Sequence, residues 1–145
     1  MFHILITTLL FGTDNLIKHQ REENPDEYDM ANGNIHVTTY HNYGAFLNLG
    51  DKKTAIVKAI SLILTLILSL IFVFTFSKHG KGLLKTGLAI LLGGAFSNTY
   101  DRLKRGYVVD YLNFPKAPGK LKNVIFNISD FAILIGALIA TLHSK

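Results

Sequence analysis

The sequence predicts an all-α integral membrane protein with four transmembrane helices and a small β-element in its connections. Apolar residues make up 49% of the 145 residues and are concentrated in four blocks, at 2–17, 56–76, 83–100 and 123–142. Each block contains a single charged residue. A helix rises 1.5 Å per residue, so roughly 20 residues cross the ~30 Å hydrocarbon core of a bilayer. Four such blocks leave too little polar helix surface for a soluble bundle.

The predicted helices span about residues 2–18, 56–77, 83–102 and 123–143, in a single membrane domain over residues 1–145. The connections at about 19–55 and 103–122 fall on one side of the membrane, called side A. The short connection at 77–82 and the C-terminus fall on the other, side B. Residues 1–3 contain no Lys or Arg, and residues 13–15 are a poor cleavage site. We therefore expect a retained first helix and not a cleaved signal peptide.

Two segments of the side A connections are predicted to be extended. Residues 35–40 alternate and are rich in β-branched side chains, directly after an Asn32-Gly33 turn signal. Residues 107–114 follow Gly106. Within the helical blocks, small residues recur every fourth position, at 89 and 93 and at 132, 136 and 140. Such faces are typical of helices that pack closely in lipid.

The residue types present exclude several kinds of site. The absence of cysteine excludes disulfides, thiolate nucleophiles and Cys-based metal sites. The histidines lack an evident metal-ligand spacing, and the sequence contains neither a G-x-S-x-G motif nor a Walker loop. Phosphate cradling and hydroxyl-nucleophile chemistry are therefore not indicated.

The net charge of +5 is distributed unevenly between the two sides. All ten acidic residues fall on side A or at its boundary, whereas side B carries only Lys78, Lys81, Lys85 and Lys145. The basic pI thus comes mostly from a lysine-only face and does not indicate a nucleic-acid surface. Lysines on side B favour a cytoplasmic side B, but Lys and Arg also crowd residues 102–122. The charges alone leave the orientation open.

Polar side chains from separate segments converge on side A. Each pair admits a purely structural interpretation, as an ion pair at a helix end or as a helix N-cap. Their convergence on one end of a small bundle favours function, because polar groups at transmembrane helices are energetically costly. The groups are Asp14 with Lys18, Asn98 with Arg102, Asn127 with Asp130, and Asp110.

Asp110 and Asp130 are the best candidates for an acid–base pair. One follows the third helix and the other lies at the start of the fourth. Two aspartates that share a proton can activate water, polarise a carbonyl and protonate a leaving amine. A small proton-coupled transporter is an alternative, although it requires access from both sides. A non-catalytic scaffold is a third possibility.

Five ordered motifs resemble those of the bacterial lipoprotein signal peptidases (signal peptidase II). They are D-N-L-I-K at 14–18, N-Y-G-A-F at 42–46, G-G-A-F-S-N-T-Y-D-R at 93–102, G-Y-V-V-D at 106–110 and F-N-I-S-D at 126–130. The sequence departs from the family pattern at Ile17, where Thr or Ser is common, at Ser129, which replaces Ala, and at Phe131, which replaces a small residue. None of these changes removes a functional side chain.

The resemblance implies an intramembrane aspartic endopeptidase of the bacterial plasma membrane. Such an enzyme cleaves prolipoproteins just before a cysteine that carries diacylglycerol. Asp110 and Asp130 are implied as the catalytic pair, surrounded by substrate-binding or supporting residues. Those residues are Asp14, Lys18, Asn42, Gly44, Asn98, Arg102 and Asn127.

The resemblance also implies the setting of the enzyme. Side A is the extracytoplasmic face, which carries the β-element and the active site, and both termini are cytoplasmic. No metal or other cofactor is expected. The expected partners are lipid-modified prolipoproteins, membrane lipids and globomycin-type inhibitors, with no nucleic acid. A monomer is expected.

Overall fold

The computed structural model describes residues 1–45 and 50–144 and shows a mostly helical chain with a small antiparallel sheet. The helices are α1 (Phe2–Glu23), α2 (Thr54–Phe76), α3 (Gly82–Lys104) and α4 (Ile128–Leu142). The strands are β1 (Tyr28–Met30), β2 (Ile35–Asn42), β3 (Val108–Asn113) and β4 (Ile125–Phe126). Short 3₁₀ helices at Asp51–Lys53 and Gly119–Asn123 precede α2 and β4.

Two helix ends differ from the sequence prediction of 2–18 and 123–143. α1 continues to Glu23, because the buried Arg21 in its last turn donates hydrogen bonds to the Asp26 carbonyl and to Thr39 Oγ1. α4 begins at Ile128, because residues 125–126 pair with β3 instead of coiling. Both corrections arise from contacts with the sheet, which a helical pattern in the sequence does not reveal.

Within the described residues, α2 is the one helix that is long and apolar enough to cross a membrane by length and composition. An 18-residue window in it has a mean hydropathy of 2.7, and 17% of that window is buried. α4 is apolar but has 15 residues, a rise of about 22 Å. α1 and α3 place charged residues such as Asp14 and Asp101 in the interior, which lowers their mean hydropathy. Four transmembrane helices therefore remain a prediction.

α3 is the central helix and packs against α1, α2 and α4. Glycines permit its close approach to α4. A Cβ atom on Gly136 would lie 2.3 Å from the Leu91 backbone nitrogen, and one on Gly87 would lie 2.6 Å from that of Ala140. Helices pack through such small faces because their backbones can approach closely. The packing face predicted at residues 132, 136 and 140 is confirmed.

The sheet joins strands from both long connections in the order β1–β2–β3–β4, with each neighbouring pair antiparallel. The extended segments predicted at 35–40 and 107–114 are confirmed as β2 and β3. Tyr40 pairs with Asp110, and Asn42 pairs with Val108. The sheet thereby brings the end of β2 beside Asp110, although the two strands are far apart in the sequence.

We predict that Gly136→Ala destabilises the fold. The added methyl group would collide with the α3 backbone at Leu91, and overpacking of this kind costs about 1–3 kcal/mol. Thermal unfolding in detergent measures the loss. Gly12→Ala is the matched control, because a Cβ atom at Gly12 in α1 meets nothing within 4 Å. Similar unfolding temperatures for the two variants would contradict the packing interpretation.

Candidate active site

A buried ion-pair network joins α1 and α3 near the end of the bundle that contacts the sheet. Lys18 Nζ is 2.8 Å from Asp14 Oδ2 and 3.1 Å from Asp101 Oδ2, and all three side chains are fully buried. Asp14 and Lys18 lie one turn apart on α1, whereas Asp101 belongs to α3. A buried charge without a partner is costly. The network therefore holds α1 against α3.

Asp14 also accepts hydrogen bonds from three hydroxyl groups. Ser97 Oγ on α3 and Ser129 Oγ on α4 donate to Oδ2 at 2.6 and 2.5 Å. The Tyr111 hydroxyl on β3 donates to Oδ1 at 2.7 Å. One carboxylate thus connects its own helix to α3, α4 and the sheet.

Asn98 transmits the network to Asp130. Lys18 Nζ donates to Asn98 Oδ1 at 2.9 Å. An ammonium group can only donate, so this bond fixes which end of the Asn98 amide faces Lys18. The other end, Nδ2, then donates to Asp130 Oδ1 at 2.9 Å. The buried lysine therefore orients the Asn98 amide so that its nitrogen donates to the Asp130 carboxylate.

Asn127 connects Asp130 to Asp110. Asn127 Oδ1 accepts from the Asp130 backbone N–H at 2.9 Å, and Asp130 Oδ2 accepts from the Asn127 backbone N–H at 3.0 Å. This reciprocal arrangement is a capping box at the start of α4. Asn127 Nδ2 donates to Asp110 Oδ1 at 2.6 Å. The N-cap interpretation of the Asn127–Asp130 pair is confirmed, and the same side chain contacts both aspartates.

The end of β2 and the residues after it hold the second carboxylate oxygen of Asp110, the one that Asn127 does not bind. Asn42 Nδ2 donates to Asp110 Oδ2 at 2.9 Å, and Asn42 Oδ1 accepts from the Gly44 backbone N–H at 3.0 Å. Arg102 Nη2 donates to the Gly44 carbonyl at 2.8 Å, and its Nη1 donates to the Asn98 carbonyl at 3.3 Å. Arg102 thus fixes this segment and does not bond directly to either carboxylate. Phe46, the last residue of the motif at 42–46, lies outside the described residues.

Asp110 and Asp130 line one small cavity of about 20 Å³, which is room for about one water molecule. A larger groove of about 320 Å³ also reaches Asp130. Its walls come from α2, α3 and α4 and are mostly apolar, with Leu64, Leu91 and Leu134 among the residues that line it. The site therefore combines a narrow polar pocket with an apolar groove that reaches one of its two acids.

Burial, and after it the neighbouring Asp130 carboxylate, raises the pKa of Asp110 from 3.8 to about 7. The hydrogen bonds from Asn42 and Asn127 favour the carboxylate and oppose this rise. The folded chain thus binds this proton more tightly than the unfolded chain does. The resulting stabilisation is present below pH 3.8 and is lost as the pH rises through about 7. Near neutral pH such a carboxyl can hold and donate a proton.

Hydrogen bonds and ion pairs join all of the predicted site residues into one connected cluster. Sequence reasoning missed Ser97, Asp101, Tyr111 and Ser129. Asp101 lies 3.4 Å from Arg105 and also pairs with Lys18. Successive residues of a strand point to opposite faces. The position of Tyr111 directly after Asp110 in the sequence therefore did not indicate that its side chain takes part in the site.

The described part of the chain contains no group of three His, Cys, Asp or Glu side chains placed to hold a metal ion. The absence of a metal requirement remains a prediction. The buried Asp110 carboxyl, with a pKa near 7, and the partly buried Asp130 carboxyl are both held by amide donors, and this arrangement is suited to proton transfer.

The fold is that of bacterial membrane enzymes. Two solved structures of bacterial membrane enzymes, determined by the in meso method at 2.3 and 1.9 Å resolution, superpose on this chain with TM-scores of 0.80 and 0.78. Both alignments cover 97% of this chain at 23% identity, and they cover 85% and 90% of the other chains.

The chain belongs to the signal peptidase II family, because the family model described as Signal peptidase (SPase) II matches residues 6–144. Lipoprotein signal peptidases of Moorella thermoacetica and Clostridioides difficile are 32% and 30% identical to it. The alignments cover 94% and 99% of this chain and 87% and 94% of those relatives. The chain is therefore a peptidase that removes signal peptides from prolipoproteins. This assignment favours the enzyme over the transporter and scaffold interpretations.

We predict that Lys18→Met strongly destabilises the protein. The change leaves the buried Asp14 and Asp101 carboxylates without their shared cation, and breaking a buried pair costs about 3–5 kcal/mol. The measurement is thermal unfolding of the purified protein in detergent. Lys104→Met is the control, because Lys104 is exposed and donates to the Tyr100 hydroxyl. Equal stability of the two variants would show that the network does not support the fold.

Proposed function

We propose that this peptidase is an aspartic endopeptidase in which Asp110 and Asp130 share one proton. The observation that carries the proposal is that both carboxylates line the same cavity of about 20 Å³ and both are held by Asn127. Amide donors on each carboxylate keep the pair in a fixed arrangement. Aspartates in such a pair can divide the roles of acid and base.

Asp110 holds the shared proton, consistent with its burial and its raised pKa of about 7. Asp130 lies in the first turn of α4, where backbone N–H groups favour a negative charge. Asp130 accepts a proton from a water molecule as the water oxygen attacks the scissile carbonyl carbon. Asp110 donates its proton to the carbonyl oxygen. When the C–N bond breaks, the leaving amine takes the proton from Asp130, and the carbonyl re-forms as its proton returns to Asp110.

The apolar groove of about 320 Å³ that reaches Asp130 accepts the lipid-modified end of the substrate. Its leucine and isoleucine walls on α2, α3 and α4 suit acyl chains. The peptide bond before a diacylglyceryl cysteine would then lie at the carboxylates, so cleavage occurs there. Globomycin-type inhibitors would compete for the same groove. The exposed apolar faces of the helices contact membrane lipids.

The chain forms a single, monomeric membrane domain of four transmembrane helices in the bacterial plasma membrane. The sheet and the site lie at the extracytoplasmic face, and both termini are cytoplasmic. The exposed apolar residues on α1, such as Leu5 and Leu9, and on α4, such as Leu134 and Leu138, support this arrangement. On α1 the polar side chains of Asp14 and Lys18 are buried, so its lower mean hydropathy is compatible with a lipid-facing surface.

We predict that Asp110→Asn and Asp130→Asn each reduce cleavage of a diacylglyceryl-modified precursor peptide at least a thousandfold, because the amide cannot exchange the required proton. The rate is measured in detergent with and without a chelator, and the parent enzyme is expected to be unaffected by the chelator. Asp29→Asn is the control, since Asp29 is an exposed carboxylate on β1. Turnover by either active-site variant above roughly a hundredth of the parent rate would contradict the aspartic mechanism.

We predict that the rate constant kcat/KM falls as the pH rises through about 7, where Asp110 loses its proton. Asn42→Ala removes a donor that stabilises the carboxylate. The pKa of Asp110 should rise, and the midpoint of the alkaline fall should move up by about one pH unit. Asn113→Ala is the control, since the Asn113 side chain on the same sheet bonds to backbone carbonyls. A midpoint that stays in place or moves down in Asn42→Ala would contradict the assignment.

A further inference from the structure

We infer that the hydroxyl groups of Tyr111 and Ser129 are positioning groups that hold Asp110 and Asp130 in alignment through the buried Asp14 carboxylate. This inference rests on the proposed function of the two aspartates. The two hydroxyl groups fix the strand that carries Asp110 relative to the helix that carries Asp130.

The Tyr111 hydroxyl makes two bonds with defined directions. It donates to Asp14 Oδ1 at 2.7 Å and accepts from the Ile128 backbone N–H at 3.2 Å. A phenol has one proton to donate and lone pairs to accept, and a backbone N–H can only donate, so these roles cannot be exchanged. The side chain is buried, with 3% of its surface exposed. The hydroxyl is therefore shielded from the bulk solvent that could replace a lost partner.

These bonds connect the two segments that bear the aspartates. Tyr111 follows Asp110 directly on β3, and Ile128 is the first residue of α4, two residues before Asp130. The first N–H groups of a helix have no partner within the helix. Tyr111 satisfies the one at Ile128 and so links the start of α4 to β3, next to the carboxylates.

Ser129 provides a parallel connection from the helix side. Its buried Oγ donates to Asp14 Oδ2 at 2.5 Å, and it immediately precedes Asp130. Asp14 itself is held by Lys18 and Ser97. The residue after one aspartate and the residue before the other are thus bound to a single fixed anion.

The environment keeps the Tyr111 hydroxyl protonated. Burial, and then the Asp14 carboxylate, raises the pKa of Tyr111 above its ordinary value of 10.0. The group therefore remains a donor at every pH at which the enzyme would work. Tyr111 is not among the described residues that line the cavity or the apolar groove. Its influence on the reaction must pass through position and not through contact with substrate.

The test is Tyr111→Phe, which keeps the ring and removes only the hydroxyl. We expect kcat for a diacylglyceryl precursor peptide to fall at least about tenfold, because small displacements of reacting groups cost this much or more. KM should stay within about twofold, because the substrate groove is untouched. Tyr107→Phe is the matched control, since the Tyr107 hydroxyl, just before β3, also donates to a carboxylate, that of Glu22 at the end of α1, and the bond is only partly buried. It should retain the parent kcat.

The outcomes separate the two proposals. If Tyr111→Phe has the kcat of Tyr107→Phe, or raises KM alone, the positioning role is wrong even when Asp110→Asn is inactive. If Asp110→Asn retains activity, the aspartic mechanism itself fails. If Tyr111→Phe does not fold in detergent, kcat is measured for Ser129→Ala instead. A selective loss of kcat supports the inference, and a parent-like kcat overturns it.

Discussion

The interaction on which the rest of the structure depends is the burial of Lys18 between Asp14 and Asp101. Charges without solvent are tolerated only when they are paired and hydrogen-bonded. Asp14 meets this requirement with hydroxyl donors from three elements, Ser97 on α3, Ser129 on α4 and Tyr111 on β3. Satisfying this buried ion-pair network therefore brings α1, α3, α4 and the sheet together at one point.

This constraint also determines the orientation of the groups around the aspartates. An ammonium can only donate, so Asn98 must turn its carbonyl oxygen to Lys18 and its amide nitrogen to Asp130. Asn127 is oriented in the same way by the backbone N–H of Asp130, which leaves its amide nitrogen for Asp110. The direction of each bond follows from its neighbour, so few alternative arrangements of the site exist.

Local patterns in the sequence predicted those features that depend on spacing along one element. They include the ion pair of Asp14 with Lys18, the cap at Asn127 and the strands at 35–40 and 107–114. The extension of α1 to Glu23 and the late start of α4 at Ile128 depend on pairing with the sheet, which no local pattern records. Tyr111 on β3 was not predicted for a similar reason, because its partner Asp14 lies on α1, far away in the sequence.

Asn127 shows why the structural and functional interpretations of a polar residue need not exclude each other. As an N-cap it satisfies the first turn of α4, and any such cap contributes about 1 kcal/mol to stability. The same geometry leaves its Nδ2 free to bind Asp110. Because the cap fixes the side chain, its bond to Asp110 requires little further loss of conformational entropy. A residue that already stabilises the fold is therefore an efficient means of holding two acids together.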